Sequence, residues 1–236
     1  MCQGSGVKVV GLIGGMSWES TAQYYRLLNE LIRERLGALH SAKCILYSVD
    51  FAEIEQLQVT GAWREAGDVL ADAARALTAA GAELLLICTN TMHKVADQVA
   101  AATPVPLLHL ADTTANAVLA AGLSRVGLLG TAFTMEQDFY RGRLAGHGLE
   151  VLVPDDAGRQ LVHRVIYDEL CQGIIRTESR IAYQQVIKDL VARGAEGIVL
   201  GCTEIELLVG PADSPVPLFP TTKLHVEAAV DAAVRG

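Results

Sequence analysis

At 236 residues the chain exceeds one typical domain and falls short of two large ones, so one α/β body or two small ones is expected. With 51% hydrophobic and only 19% charged residues it is too apolar for disorder, and 22 glycines without a triplet period and five cysteines exclude collagen-like and disulfide-scaffold classes. A net charge of −8 leaves no basic stripe for phosphates and argues against a nucleic-acid partner.

The cysteines are Cys2, Cys44, Cys88, Cys171 and Cys202. Their odd number and the lack of C-x-x-C spacing predict reduced thiols in a cytoplasmic protein. The opening M-C-Q-G-S-G-V-K-V-V runs straight into a predicted strand, so no secretion leader is expected. No apolar run reaches the roughly 18 residues of a membrane span, so no membrane partner is expected.

In chain order, strands are predicted over 7–13, 44–49, 83–88, 105–110, 125–130, 149–153, 197–202 and 216–219. Most are apolar on both faces, as in a parallel sheet covered by helices. Helical patterns lie between them, over 18–36, 62–80, 91–102, 112–121, 135–145, 159–173, 177–193 and 222–234. In the first, Tyr25, Leu28, Ile32 and Leu36 form the predicted apolar stripe. The alternation predicts an α/β fold with right-handed crossovers.

The chain also resembles itself. V-G-L-I-G-G-M-S-W-E-S at 10–20 echoes V-G-L-L-G-T-A-F-T-M-E at 126–136, and I-C-T-N-T-M-H at 87–93 echoes G-C-T-E-I-E-L at 201–207. Gly11 precedes Gly127 by 116 positions and Thr89 precedes Cys202 by 113. The offsets predict two similar halves of parallel sheet between helices, with a ligand in the cleft between them. The plainer alternative is that all strand–turn–helix units look alike.

Each echoed segment is a strand end opening into a helix, where free N–H groups favour carboxylates. Ser17, Thr91, Thr134 and Thr203 are candidate caps, and T-M-E-Q at 134–137 and T-E-I-E at 203–206 fit a capping box; capping alone is the structural alternative. Cys202 stands before a predicted helix, where the terminus can lower a thiol's pKa, or it is a small buried hydrophobe. His93 either orients a neighbour or simply starts a helix. The six histidines show no metal-binding spacing, so no metal is expected. G-L-I-G-G lacks the register of a dinucleotide fingerprint.

G-L-I-G-G-M-S-W-E-S-T, C-T-N-T-M-H-K-V-A-D and G-C-T-E-I-E-L-L-V together resemble the aspartate/glutamate racemase family, near its broad-specificity or aspartate/glutamate-specific bacterial branch. The resemblance spans nearly the whole chain. It implies two three-layer lobes related by a pseudo-two-fold, the first over 1–112 completed by 220–236 and the second over 113–219. It also implies a homodimer, an amino-acid substrate and no cofactor. Family members place two cysteines on opposite faces of the substrate α-carbon. Here the C-N-T-x-H position reads T-N-T-M-H, so Thr89 takes the first catalytic position and Cys88 falls one residue early. G-C-T-E supplies Cys202, Thr203 and Glu204. By the same resemblance Met16, Gln58, Asn90, Thr91, Thr131, Thr203 and Glu204 line the substrate site. Pro220 in F-P-T-T stands where relatives commonly carry an aspartate.

The implied activity is racemisation of aspartate, glutamate or a broader set of amino acids without pyridoxal phosphate. Cys202 would take the α-proton of the L-substrate and the Thr89 side would serve the opposite face, less effectively because a hydroxyl rarely ionises. Two alternatives stay open: a single-cysteine decarboxylase or isomerase of the same superfamily, and a non-catalytic amino-acid-binding protein. Residues 48–58 contain no Arg or Lys, which weakens a strictly acidic substrate.

Overall fold

Alternation of apolar side chains builds two sheets, each with a core on both faces. The computed structural model describes residues 6–234, so Cys2 and the start of the opening segment lie outside the described residues. By internal contacts the chain divides into one unit of residues 1–109 with 225–236, and a second of residues 110–224.

In the first unit β1 (Val10–Gly14) lies between β2 (Cys44–Ser48) and β3 (Leu84–Ile87), all parallel. Helices α1 (Trp18–Leu36), α2 (Phe51–Val59), α3 (Trp63–Ala79) and α4 (Ala96–Ala101) belong to this unit. Strand residues two apart share a face. Val10, Leu12, Leu84, Leu86 and Cys88 therefore pack against Tyr24, Leu28 and Ile32 of α1. Ile13, Leu85 and Ile87 face the other way, onto Ile54, Ala66, Leu70 and Leu77.

The second unit contains α5 (Leu110–Ala120), β4 (Arg125–Gly130), α6 (Ala132–Glu136), α7 (Asp138–Gly146), β5 (Glu150–Leu152), α8 (Asp156–Asp168), α9 (Thr177–Ala192), β6 (Gly197–Gly201), α10 (Ile205–Leu208) and β7 (Leu218–Pro220). Its parallel order is β5-β4-β6-β7. One face carries Leu129, Ile198 and Leu200 against Val162, Ile166, Tyr183 and Leu190, and the other carries Val126, Leu128 and Val199 against Ala115, Val118, Tyr140 and Leu144. α11 (Thr221–Val234) begins in the second unit and gives Val226, Ala229, Val230 and Ala233 to the core of the first.

The repeat has a steric cause. A Cβ on Gly11 would stand 2.7 Å from Leu85 Cδ2, and one on Gly127 would stand 2.7 Å from Ile198 Cδ1. At both positions side chains of the neighbouring strand and of the helix packed on it, Leu85 and Leu77 in one unit and Ile198 and Leu190 in the other, fill the space a Cβ would take.

Several predicted elements change. The strand at 105–110 shrinks to one bridge, Leu85 to Leu107, because Pro104 and Pro106 lack the N–H groups a ladder needs. The helix at 135–145 is two, α6 and α7, separated by an extended Gln137. The helix at 91–102 opens as a 3-10 turn, Thr91–Val95. α2 was not expected; Asp50 caps it by accepting from Ala52 N at 3.0 Å. On α1 the buried aromatic is Tyr24, whereas Tyr25 is exposed.

Candidate active-site residues

The strand ends hold the residues singled out by sequence. In the first unit Ser17 caps α1, accepting from Ser20 N at 3.4 Å. Gly15 N–H donates to Thr21 Oγ1 at 2.8 Å, which folds the G-G-M-S segment back onto that helix. Met16 is buried in the same core as Ile13 and Ile54. Gln58, on α2, is buried and its Nε2 donates to Met92 Sδ at 3.1 Å.

After β3, alternation continues through residues 88 and 89. The Cys88 side chain lies among Tyr24, Leu28 and Leu86, and burial pushes its thiol far above the ordinary range. Its carbonyl accepts from Ser20 Oγ at 2.9 Å. Thr89 is only partly buried, and Asn90, Thr91 and His93 after it are buried. Thr91 does not cap a helix by its side chain.

In the second unit Thr131, not Thr134, caps α6; it accepts from Thr134 N at 3.4 Å. The 134–137 capping box therefore does not form. Neither does the 203–206 box: α10 has four residues and no side-chain cap. Thr203 Oγ1 instead lies 2.9 Å from Thr222 Oγ1. Thr221 Oγ1 donates to Leu200 O at 2.9 Å, locking the segment after Pro220 onto β6.

Cys202 continues the face that carries Ile198 and Leu200. Its Sγ donates to Glu204 Oε2 at 2.9 Å. The expected lowering at the helix start is present, through the backbone N–H of Glu204, but it is outweighed and the thiol pKa is raised overall. Burial, the Glu204 charge, Cys171 and the hydrogen bond to Glu204 all raise it, and one turn of helix is too short to offset them. The raised pKa favours the thiol form of Cys202.

The two units can be aligned by register. Leu85 and Ile87 on one sheet correspond to Ile198 and Leu200 on the other, so Thr89 corresponds to Cys202 and Cys88 to Gly201. Sequence reading treated Glu204 as a substrate contact and Glu206 as half of a cap. Glu206 is a mostly buried carboxyl whose pKa rises to about 7, through burial and the Glu204 charge, against the pull of Lys223. The acidic pair in G-C-T-E-I-E was the available signal. Among the described residues no three His, Cys, Asp or Glu side chains are placed to hold a metal ion, and no helix is long and apolar enough to cross a membrane.

Known proteins align with this arrangement over nearly its full length. A crystal structure of a proposed Asp/Glu racemase from Yersinia pestis is 58% identical, covers 96% of this chain and 99% of that one, and superposes with a TM-score of 0.92. An aspartate racemase homologue from Pyrococcus horikoshii OT3 is 36% identical over 96% and 99% of the two chains, with a TM-score of 0.85. The broad-specificity amino-acid racemase RacX of Bacillus subtilis (strain 168) is 21% identical, over 94% of this chain and 96% of its own length. The sequence model of the Asp/Glu/Hydantoin racemase family matches residues 13–229, a span that takes in both strand-end motifs. The chain belongs to the Asp/Glu/Hydantoin racemase family.

Proposed function

We propose that this protein interconverts the enantiomers of an amino acid by α-proton transfer through side chains alone. The observation that carries the reading is the 2.9 Å bond from Cys202 Sγ to Glu204 Oε2 at the end of β6. A buried thiol is a poor base until it ionises, and Glu204 is placed to accept its proton. The thiolate then takes the α-proton of the L-substrate, becoming a thiol again and leaving the carbanion. The carbanion is stabilised through hydrogen bonds to the substrate carboxylate, for which Asn90, Thr91, Thr131 and Thr203 are the proposed donors. Thr89, equivalent in register to Cys202, serves the opposite face directly or through a water it orients. Met16 and Gln58 complete the proposed lining.

A threonine exchanges protons far more slowly than a thiol, so the enzyme is asymmetric and works best on the L-enantiomer. The absence of Arg and Lys from 48–58 favours a substrate set wider than aspartate and glutamate. A homodimer in the cytoplasm belongs to the same reading and rests on the resemblance; light scattering tests the dimer. The deciding experiment is α-deuterium incorporation from each L- and D-amino acid in heavy water. Incorporation with inversion is expected; tight binding without incorporation leaves a binding protein.

One observation favours a second reading. With Cys88 turned into the core, Cys202 is the one thiol at a matched strand-end position among the described residues, as a single-cysteine decarboxylase requires. Release of carbon dioxide from an arylmalonate-type diacid, without exchange on amino acids, would select it.

A further inference from the structure

His93 is buried four residues after Thr89, and its Nδ1 lies 2.7 Å from the Thr89 carbonyl oxygen. A carbonyl only accepts, so Nδ1 carries the proton and donates. The backbone adds a second brace, with His93 N donating to Asn90 O at 3.1 Å. The ring is itself walled in by two imidazoles. His109 packs at 4.6 Å between centroids and His225 at 5.7 Å, both edge to face.

His225 is anchored at both nitrogens: Nε2–H donates to Leu108 O at 2.9 Å, so Nδ1 accepts from Tyr24 O–H, also at 2.9 Å. Burial and His93 hold its pKa down to about 3, so this wall stays neutral. A sequence needing only a helix start has no use for such a cluster. The cluster fixes the plane of the peptide after residue 89. Because a threonine side chain has few χ1 rotamers, fixing that backbone restricts Oγ1 to a few defined positions.

We propose that His93 is a positioning residue for the residue-89 half of the reaction: its Nδ1–H holds the Thr89 carbonyl and so sets where the Thr89 hydroxyl stands. The inference rests on the racemase reading above. It assigns His93 no contact with substrate and no proton to transfer.

Proton exchange at the Cys202 face alone returns deuterium with retained configuration, whereas inversion also needs the residue-89 face. The test therefore follows an L-substrate in heavy water and compares exchange with retention to exchange with inversion. His93→Gln lacks a donor at the Nδ1 position and should raise the retention-to-inversion ratio roughly tenfold to a hundredfold, with KM little changed. His93→Asn places an amide N–H near the ring Nδ1 position and should bring the ratio back towards wild type. An unchanged ratio in the glutamine variant, or equal ratios in both variants, overturns the proposal.

The wild-type protein supplies an independent readout if the glutamine variant does not fold. Long-range 15N–1H NMR should find the His93 proton on Nδ1, and finding it only on Nε2 overturns the assignment. A wild type that incorporates no deuterium from any amino acid sinks the racemase reading itself, a separate and recognisable failure.

Discussion

The thiol of Cys202 donates to the carboxylate of Glu204 across 2.9 Å, two residues along the same chain segment. Two effects keep the proton on sulfur: the thiol is buried, and the negative charge beside it disfavours a thiolate. Removing the negative neighbour removes one of the causes that raise the thiol. In Glu204→Gln the rise of iodoacetamide reactivity with pH should therefore move to lower pH. Racemisation should nonetheless fall about 10²- to 10³-fold at neutral pH, because the proton acceptor is gone. A shift of the reactivity profile to higher pH refutes the pairing.

Cys202→Ala should abolish racemisation and leave a folded protein. Truncating a buried thiol to a methyl group costs about 1–2 kcal/mol, within the range of modest core truncations. Thermal unfolding and rate, measured on the same sample, separate the two effects. Activity above about a tenth of wild type would remove Cys202 from the mechanism.

Thr89→Cys should restore a thiol at the position equivalent to Cys202 and raise the rate from the D-enantiomer relative to that from the L-enantiomer. The volume change is small, and the partly buried site tolerates it. Cys88→Ser should leave the directional ratio unchanged while lowering stability, because its side chain sits among Tyr24, Leu28 and Leu86. If Cys88→Ser alone abolishes exchange from the D-enantiomer, the register is wrong by one residue.

Activity should survive dialysis against a chelator and need no added pyridoxal phosphate, since every proposed step uses a side chain. The preparation should show no band near roughly 420 nm, where an internal Schiff base absorbs. Dependence on either additive contradicts the mechanism.

Acid should destabilise the first unit through His225. Its pKa falls from 6.5 to about 3 on folding, so the unfolded chain binds more protons between those values. The contribution is then fully present above about pH 6.5 and drains away as the pH falls towards 3, on the order of several kcal/mol in all. His225→Gln cannot titrate, so its stability should vary less with pH across that window even if it is lower at neutrality. Equal slopes for both proteins in denaturant unfolding at pH 4 to 7 would rule this out.

Much of the fold was legible because its causes are local. Side chains packed closely over Gly11 and Gly127 favour the same residue in the same motif, so the repeat could be read directly. Pro104 and Pro106 stand in the sequence too, and each removes an N–H that a ladder around 105–110 would need. α2 escaped notice because E-I-E-Q offers one buried aliphatic position, Ile54, among polar neighbours. Tyr24 and Tyr25 cannot be told apart by type; the packing that brings the Tyr24 hydroxyl to His225 decides which one is buried. The site was legible by resemblance for Cys202, whereas its bond to Glu204 depends on side-chain direction. A hydroxyl and a carboxylate three apart read equally well as a cap, so Thr203 and Glu206 suggest a capping box that the short helix does not form.

α11 changes the order in which the protein can be made. The second unit is one unbroken stretch, residues 110–224, and can close its core before the rest of α11 emerges. The first unit, although most of it emerges earlier, lacks one wall until Val226, Ala229, Val230 and Ala233 arrive to cover Leu12, Tyr24 and Leu28. Lys8 N then donates to Ala233 O at 3.1 Å, joining residues near the two extremes of the described chain. On the ribosome the unit that carries Thr89 and the histidine cluster thus completes its core only after residues 110–224 have emerged, its apolar face waiting until α11 arrives.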